Sequence, residues 1–388
     1  MNRNTALHQP SRWTWLLRVF SGFDLPLLSA VLILATIGLV AMYSAGYDHG
    51  TRFVDHGRNM LLALGVLFLA SQVSPQKLQQ LAVPLYLLGV VLLIVTALPG
   101  IGVTKKGATR WLHVGIDFQP SEILKIAMPL MLAWWFQKRE GQLRVTDFVI
   151  AGLLLLVPVA IVMKQPDLGT ALLILASGVY VSFFAGLSWK LVVPVLVTGA
   201  IAVAAIVMTA DRICEPGVKW PLLRDYQQHR VCTLLDPTTD PLGKGFHIIQ
   251  GMIAIGSGGL SGKGFMQGTQ THLEFIPERT TDFIFAAFSE EFGLAGVLLL
   301  ISGFIFLIFR GLMIAAEAPT VFTRLLAGAV TLSFFTYAFV NMGMVSGILP
   351  VVGVPLPFVS YGGTAMVTLG LGLGILMSVA RSRRLMQS

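Results

Sequence analysis

Five carboxylates fall in one stretch of this sequence. Leu273 to Glu291 reads LEFIPERTTDFIFAAFSEE and carries Glu274, Glu278, Asp282, Glu290, Glu291 and Arg279, against the mouth of an apolar run from Phe292 to Phe309. Only 12% of the chain is charged, so this density beside a membrane-length segment needs an explanation. Ionisable groups at membrane depth are costly and default to a functional reading. If Asp282 opens a helix running to Phe309, then Ala286, Ser289 and Gly293 lie within about 40° of Asp282 and form with it a small polar stripe. Glu290 sits about 80° from Asp282 and Glu291 on the opposite side, so the two acids cannot share one partner. A plain alternative is that Asp282 caps the helix, because Asp is a favoured N-cap whose charge suits the positive helix end.

Other residues offer weaker chemistry. In PSEILK, Glu122 and Lys125 are three apart and share a helix face, where they can neutralise each other or serve as a relay or substrate contact. In KQPDLGT, Asp167 stands before an apolar run, either as a cap or as a contact to a cation or substrate. The segment Gly245 to Gly264, GFHIIQGMIAIGSGGLSGKG, ends Gly-rich, but Gly264 follows Lys263 where a Walker motif needs Ser or Thr. Its backbone N–H groups with Lys263 are candidates for an anion nest, and a turn-rich loop is the plainer reading. The seven His residues are scattered, with no HExxH, Cys/His cluster or GxSxG, so neither a metal site nor a nucleophile motif is expected. No cofactor is evident, and a divalent cation is the one addition compatible with a diphosphate.

The elements that must position these residues are membrane spans. Hydrophobic residues make up 55% of the chain, mean hydropathy is +0.77, and the apolar residues come in membrane-length blocks. The expected fold is an all-α polytopic membrane protein of about ten transmembrane helices. The blocks run over 25–44, 59–73, 81–98, 123–136, 148–163, 168–184, 191–210, 292–309, 325–345 and 365–380. An even count places both termini on one side. The basic ends, with Arg3, Arg12 and Arg18 before the first block and Arg381, Arg383 and Arg384 after the last, make that side the cytoplasm. Residues 1–24 are then an uncleaved tail, 381–388 a second tail, and 211–281 one long loop on the outer side between spans seven and eight of a single 1–388 domain. The net charge of +8 comes without any Lys/Arg run, so anionic lipid explains it better than nucleic acid.

Two outer segments exceed simple connectors. Pro99 to Pro120 carries Lys105, Lys106, Arg110, Trp111 and His113, and the long loop holds the only cysteines, Cys214 and Cys232. In an oxidising compartment these two are expected to be bonded. Near the end, GILPVVGVPLPFVSYGGTAM packs Pro350, Pro355 and Pro357 among glycines and cannot be a straight helix. At membrane depth it must be buried in protein or line a cavity, and it is read as a cavity wall on the outer side.

PSEILK, KQPDLGT, the Gly-rich loop, FIPERTTDFIFA followed by SEE, and LPFVSYGGTAM resemble, in this order and across nearly the whole chain, the SEDS family of shape, elongation, division and sporulation proteins. GFHIIQ, IAIGSGG and VGVPLPFVSYGG look more like its RodA elongation branch than its FtsW division branch. The resemblance implies a bacterial inner-membrane peptidoglycan glycosyltransferase that polymerises lipid II. It also implies a class B penicillin-binding protein and other elongation-complex membrane proteins as partners, and the Asp of the PER-x-TDF motif, Asp282, as the essential catalytic residue. Thr280 stands where His is frequent in RodA-like sequences, so a His-assisted proton transfer is not implied.

The residue chemistry agrees with that expectation. Both substrates would be lipid-tethered with their sugars outside the membrane, which places the site at the outer interface. An inverting transfer needs a base for the acceptor hydroxyl and cations for the departing diphosphate. Asp282 is the base candidate and Arg110, Lys263 and Arg279 the cation candidates. Two competing readings are a transporter that flips the lipid-linked precursor, supported by Glu122, Lys125 and the broken backbone before the last span, and a non-catalytic scaffold.

Overall fold

The computed structural model describes residues 23–387 apart from 49, 99, 106–107, 216–217, 219, 221–224 and 241–242. The tail with Arg3, Arg12 and Arg18 and the loop residue Lys106 lie outside the described residues. Eight described helices are long and apolar enough to cross a membrane: α1 (Leu25–Ala45), α2 (Arg52–Ser71), α3 (Pro75–Ala97), α5 (Val145–Lys164), α7 (Trp189–Met208), α12 (Ile284–Ala316), α13 (Val321–Val345) and α14, of which 363–382 qualifies. Two more occupy the fourth and sixth apolar blocks, α4 (Pro120–Lys138) and α6 (Leu168–Phe184). Glu122 and Lys125 lower the hydropathy of α4, and α6 has only 17 residues.

The centre of the bundle is α13, which packs on α4, α6, α12 and α14 and is buried along most of its length. From Ala127 to Ala133 every residue of α4 is buried, the pattern of a helix enclosed on all sides. Helix α14 (Gly363–Gln387) lies against α2, and a Cβ at Gly370 would stand 2.3 Å from the Ala63 carbonyl. Small residues let two spanning backbones approach this closely. Helix α7 has no buried residue and leaves the bundle. The four-residue α8 (Ala210–Ile213) follows it, then α9 (Asp225–Leu235), α10 (Lys244–Ser257) and α11 (Thr269–His272).

Two features depart from the sequence expectation. The 99–120 connector folds into an antiparallel sheet of β1 (Val103–Lys105), β2 (Ala108–Val114) and β3 (Ile116–Phe118), so the chain is not wholly helical. The helix expected from Asp282 to Phe309 is broken at Gly293, whose φ of 61° and ψ of −162° only glycine adopts readily. At 1.5 Å per residue, Leu294 to Ala316 covers about 34 Å, enough for one crossing, and Ile284 to Phe292 is left as a separate short helix.

The Gly-rich loop repairs the break. Lys263 and Gly264 N–H groups donate to the Glu290 and Glu291 carbonyls, both at 3.0 Å, while Leu294 and Ala295 N–H groups donate to Gly259 and Leu260 carbonyls at 2.9 and 3.0 Å. A Cβ at Gly262 would lie 2.0 Å from the Glu291 carbonyl, which is why this loop requires glycine. The N–H groups of Gly262, Lys263 and Gly264 all serve carbonyls, of Gly258, Glu290 and Glu291 respectively. These three N–H groups therefore hold the helix break and do not point to an anion.

Candidate active site

Asp282 stands two residues before the short half of α12. The N-cap is Phe283, which makes no side-chain cap bond, and Asp282 stands one residue before it. The turn that carries it is fastened on several sides. Arg279, enclosed at 2% exposure, donates Nε to the Ala45 carbonyl at 2.9 Å, grips the Asp48 carboxylate through Nη2 and lies over the Tyr47 ring. Tyr361 N–H donates to the Thr280 carbonyl at 2.8 Å. Asn341 Nδ2 donates to the Asp282 carbonyl at 2.9 Å and to the Val354 carbonyl at 2.7 Å.

The Pro-rich segment after α13 faces Asp282. From Ser346 to Gly362 the chain is non-helical, and Val354, Leu356, Phe358, Val359 and Ser360 are buried in protein. A Cβ at Gly353 would stand 3.3 Å from Asp282 Oδ2, so the carboxylate lies against this backbone. Gly169 at the start of α6 packs on the same segment so closely that a Cβ there would be 2.7 Å from the Val352 carbonyl. Residues 352–354 therefore touch both Asp282 and the start of α6.

Asp167 takes the capping role that the sequence offered and also meets a cationic side chain. Its Oδ1 accepts from Thr170 N–H as the α6 cap, and its Oδ2 accepts from Gln119 Nε2 at 2.6 Å and lies 3.3 Å from Arg110 Nη1 on β2. One turn along α4, Lys125 Nζ meets Glu122 Oε1 at 2.6 Å, with the two side chains 8% and 13% exposed. Glu122 Oε2 also accepts from Thr368, and Lys125 lies 5.5 Å from the centre of the Tyr337 ring. Gln119 and Glu122 line a cavity of about 800 Å³ with Arg58, Asn59, Phe118 and Thr364. Gly363 and Thr364, the first residues of α14 after the Pro-rich segment, form part of that wall.

Asp282, Asp167, Arg110, Glu122 and Lys125 thus belong to one connected region. Two of the cation candidates do not face it. Arg279 is directed to the end of α1, and Lys263 to Glu290 at 2.6 Å. Glu290 is fully enclosed and also accepts from Thr269 Oγ1 and the Gln270 and Thr271 N–H groups at 3.0, 2.9 and 3.3 Å. Glu291 accepts from Ser44 Oγ at 2.5 Å. Cys214 and Cys232 are joined as a disulfide, their Cα atoms 5.6 Å apart. Among the described residues no group of three or more His, Cys, Asp or Glu side chains is placed to hold a metal ion. Sequence reasoning passed over Asn341 and Gln119, although a lone carboxamide in the apolar run of α13 was a visible signal.

Residues 25–385 match the model of a family described as cell cycle protein, FtsW/RodA/SpoVE. The chain belongs to this family, the SEDS proteins. It is 46% identical over 361 residues to the peptidoglycan glycosyltransferase MrdB of Escherichia coli K12, covering 93% of this chain and 94% of that one. It is 34% identical over 380 residues to a probable peptidoglycan glycosyltransferase FtsW of Geobacter sp. M18, covering 95% and 99%. Among solved structures it is similar to a chain of a peptidoglycan synthase complex that coordinates polymerization and crosslinking, at a TM-score of 0.75 and 33% identity over 93% of this chain and 98% of that one. The rod shape determining protein RodA of Thermus thermophilus gives 0.67 and 28% over 93% and 97%. The SEDS chain described here is an integral membrane protein with a RodA-like fold.

Proposed function

We propose that this SEDS protein is the peptidoglycan glycosyltransferase of cell elongation, polymerising lipid II on the outer face of the bacterial inner membrane with Asp282 as general base. The observation that carries the reading is the placement of Asp282 on the turn before α12, its carboxylate against the Gly353 backbone of the segment that also packs on the start of α6, where Asp167 meets Arg110. Asp282 takes the proton of the acceptor hydroxyl as its oxygen attacks the anomeric carbon of the donor. The bond from that carbon to the diphosphate breaks, the electron pair leaves with the diphosphate, and the anomeric configuration inverts. Arg110, whose side chain is 29% exposed, is the cation of the three candidates that remains directed to this region. Lys125, held by Glu122, maintains the floor beside the cavity.

In this reading all ten helices cross the membrane, both termini are cytoplasmic, and the 211–281 loop lies in the periplasm above Asp282. A class B penicillin-binding protein is the partner, in keeping with the likeness to a chain of a polymerising and crosslinking complex. Purified protein given labelled lipid II tests the function. Glycan chains are expected. Transfer between leaflets without chains would favour the transporter, and neither product would favour the scaffold.

A further inference from the structure

Helix α13 is apolar and central, and near its end stands one enclosed carboxamide, Asn341, with 0% exposure. Its Nδ2 donates to two backbone carbonyls, of Asp282 and of Val354. Carbonyls only accept, so these partners assign which amide atom is the nitrogen. Its Oδ1 is buried with no hydrogen-bond partner. A carboxamide that spends both donors on two backbone carbonyls fixes those carbonyls relative to one another. Those donors join two segments remote in sequence, the turn that ends at Asp282 and the 350–357 wall. The bond from Tyr361 N–H to the Thr280 carbonyl fastens the same two segments two residues earlier along the turn.

We propose that Asn341 is a positioning residue for glycosyl transfer, fixing the Asp282 carboxylate against the Gly353 wall and in register with Asp167 and Arg110. This inference rests on Asp282 being the base. A base must lie within hydrogen-bond reach of the hydroxyl it deprotonates, and a displacement of about 1 Å lowers the rate on the order of 10²-fold. Asn341 is enclosed and touches no substrate, so its loss acts on kcat and not on KM. Because both donors sit on one nitrogen, removing it frees the Asp282 peptide and the wall together.

Asn341→Leu removes both donors at similar volume, and Asn341→Ser retains one hydroxyl donor in a smaller side chain. For each variant of parental thermal stability, kcat and KM for lipid II and the acid limb of the kcat–pH profile are measured. Thr331→Val, equally enclosed on the same helix, controls for a general effect of losing a buried polar group. The expected result for Asn341→Leu is a kcat lower by about 10- to 100-fold, KM within about twofold, a displaced acid limb, and an intermediate value for Asn341→Ser. If Asn341→Leu does not fold, Asn341→Ser decides alone. Parental kcat and pH profile in a folded variant, loss that only follows the folded fraction, or the same changes in Thr331→Val would overturn the inference. Asp282→Asn is assayed alongside: if it is active the base reading fails, whereas if it is inactive and the Asn341 variants behave as the parent, only the role of Asn341 fails.

Discussion

Lys263 Nζ and Glu290 Oε1 meet at 2.6 Å beside the break in α12. The pair closes the stretch from 263 to 290, which contains Asp282, onto itself. The Gln270 and Thr271 N–H groups bind the same carboxylate, so the segment before the Asp282 turn is fastened to the helix that follows it.

Glu290 therefore stabilises the loop. Removing one partner of a buried ion pair costs roughly 3 to 5 kcal/mol. We expect Glu290→Gln and Lys263→Met to lower the unfolding temperature and open the 258–271 segment to protease, with activity falling in step with stability. A protease pattern and unfolding temperature equal to the parent in both variants would show that the weld is dispensable.

Glu122 and Lys125 predict a different mutational pattern. Each single neutralisation, Glu122→Gln or Lys125→Met, leaves a charge in a low-dielectric interior and should destabilise by about 3 to 5 kcal/mol. Replacing both with apolar residues should recover much of the folded yield. A thermal unfolding series on the two singles and the double measures this, and singles as stable as the parent would make the pair irrelevant to folding.

The Cys214 to Cys232 bond spans a separation of 18 residues. Closing a loop of this size removes unfolded-chain entropy worth on the order of 3 kcal/mol. Intact protein should resist alkylation at both positions until reductant is added, and Cys214→Ser should increase proteolysis between α8 and α10 while leaving the membrane helices folded. Modification of either cysteine without reductant would contradict the bond.

Much of this architecture was legible from composition. Apolar blocks of membrane length gave the helices, and the i, i+3 spacing of Glu122 and Lys125 gave their pairing, because both depend on local periodicity. What stayed hidden depends on contacts between distant segments. Gly293 reads like any glycine within an apolar helix, and only the docking of 258–264 against it shows why the helix breaks. Lys263 and Arg279 read as free cations, but their partners, Glu290 and Asp48, are chosen by the tertiary fold. Asp167 was legible as a cap, while its contact with Arg110 required the 103–118 sheet, which the short alternation there did not announce. Asn341 is a polar residue in an apolar run that the sequence reading passed over, and its role depends on two carbonyls, 59 and 13 residues away in sequence.

The central claim is that Asp282 acts as the base, and the most direct test is lipid II polymerisation by purified Asp282→Asn. Asparagine matches aspartate in size and is as good a helix cap, so the substitution should leave thermal stability close to the parent. Glu274→Gln, which neutralises an exposed carboxylate eight residues earlier, is the matched control and should retain activity. An asparagine cannot accept the proton, and base catalysis contributes about 10²- to 10⁴-fold, so glycan synthesis should fall by at least about 10²-fold at equal stability. Glycan chains formed by Asp282→Asn at a rate near that of the parent would contradict the account and remove Asp282 from the mechanism.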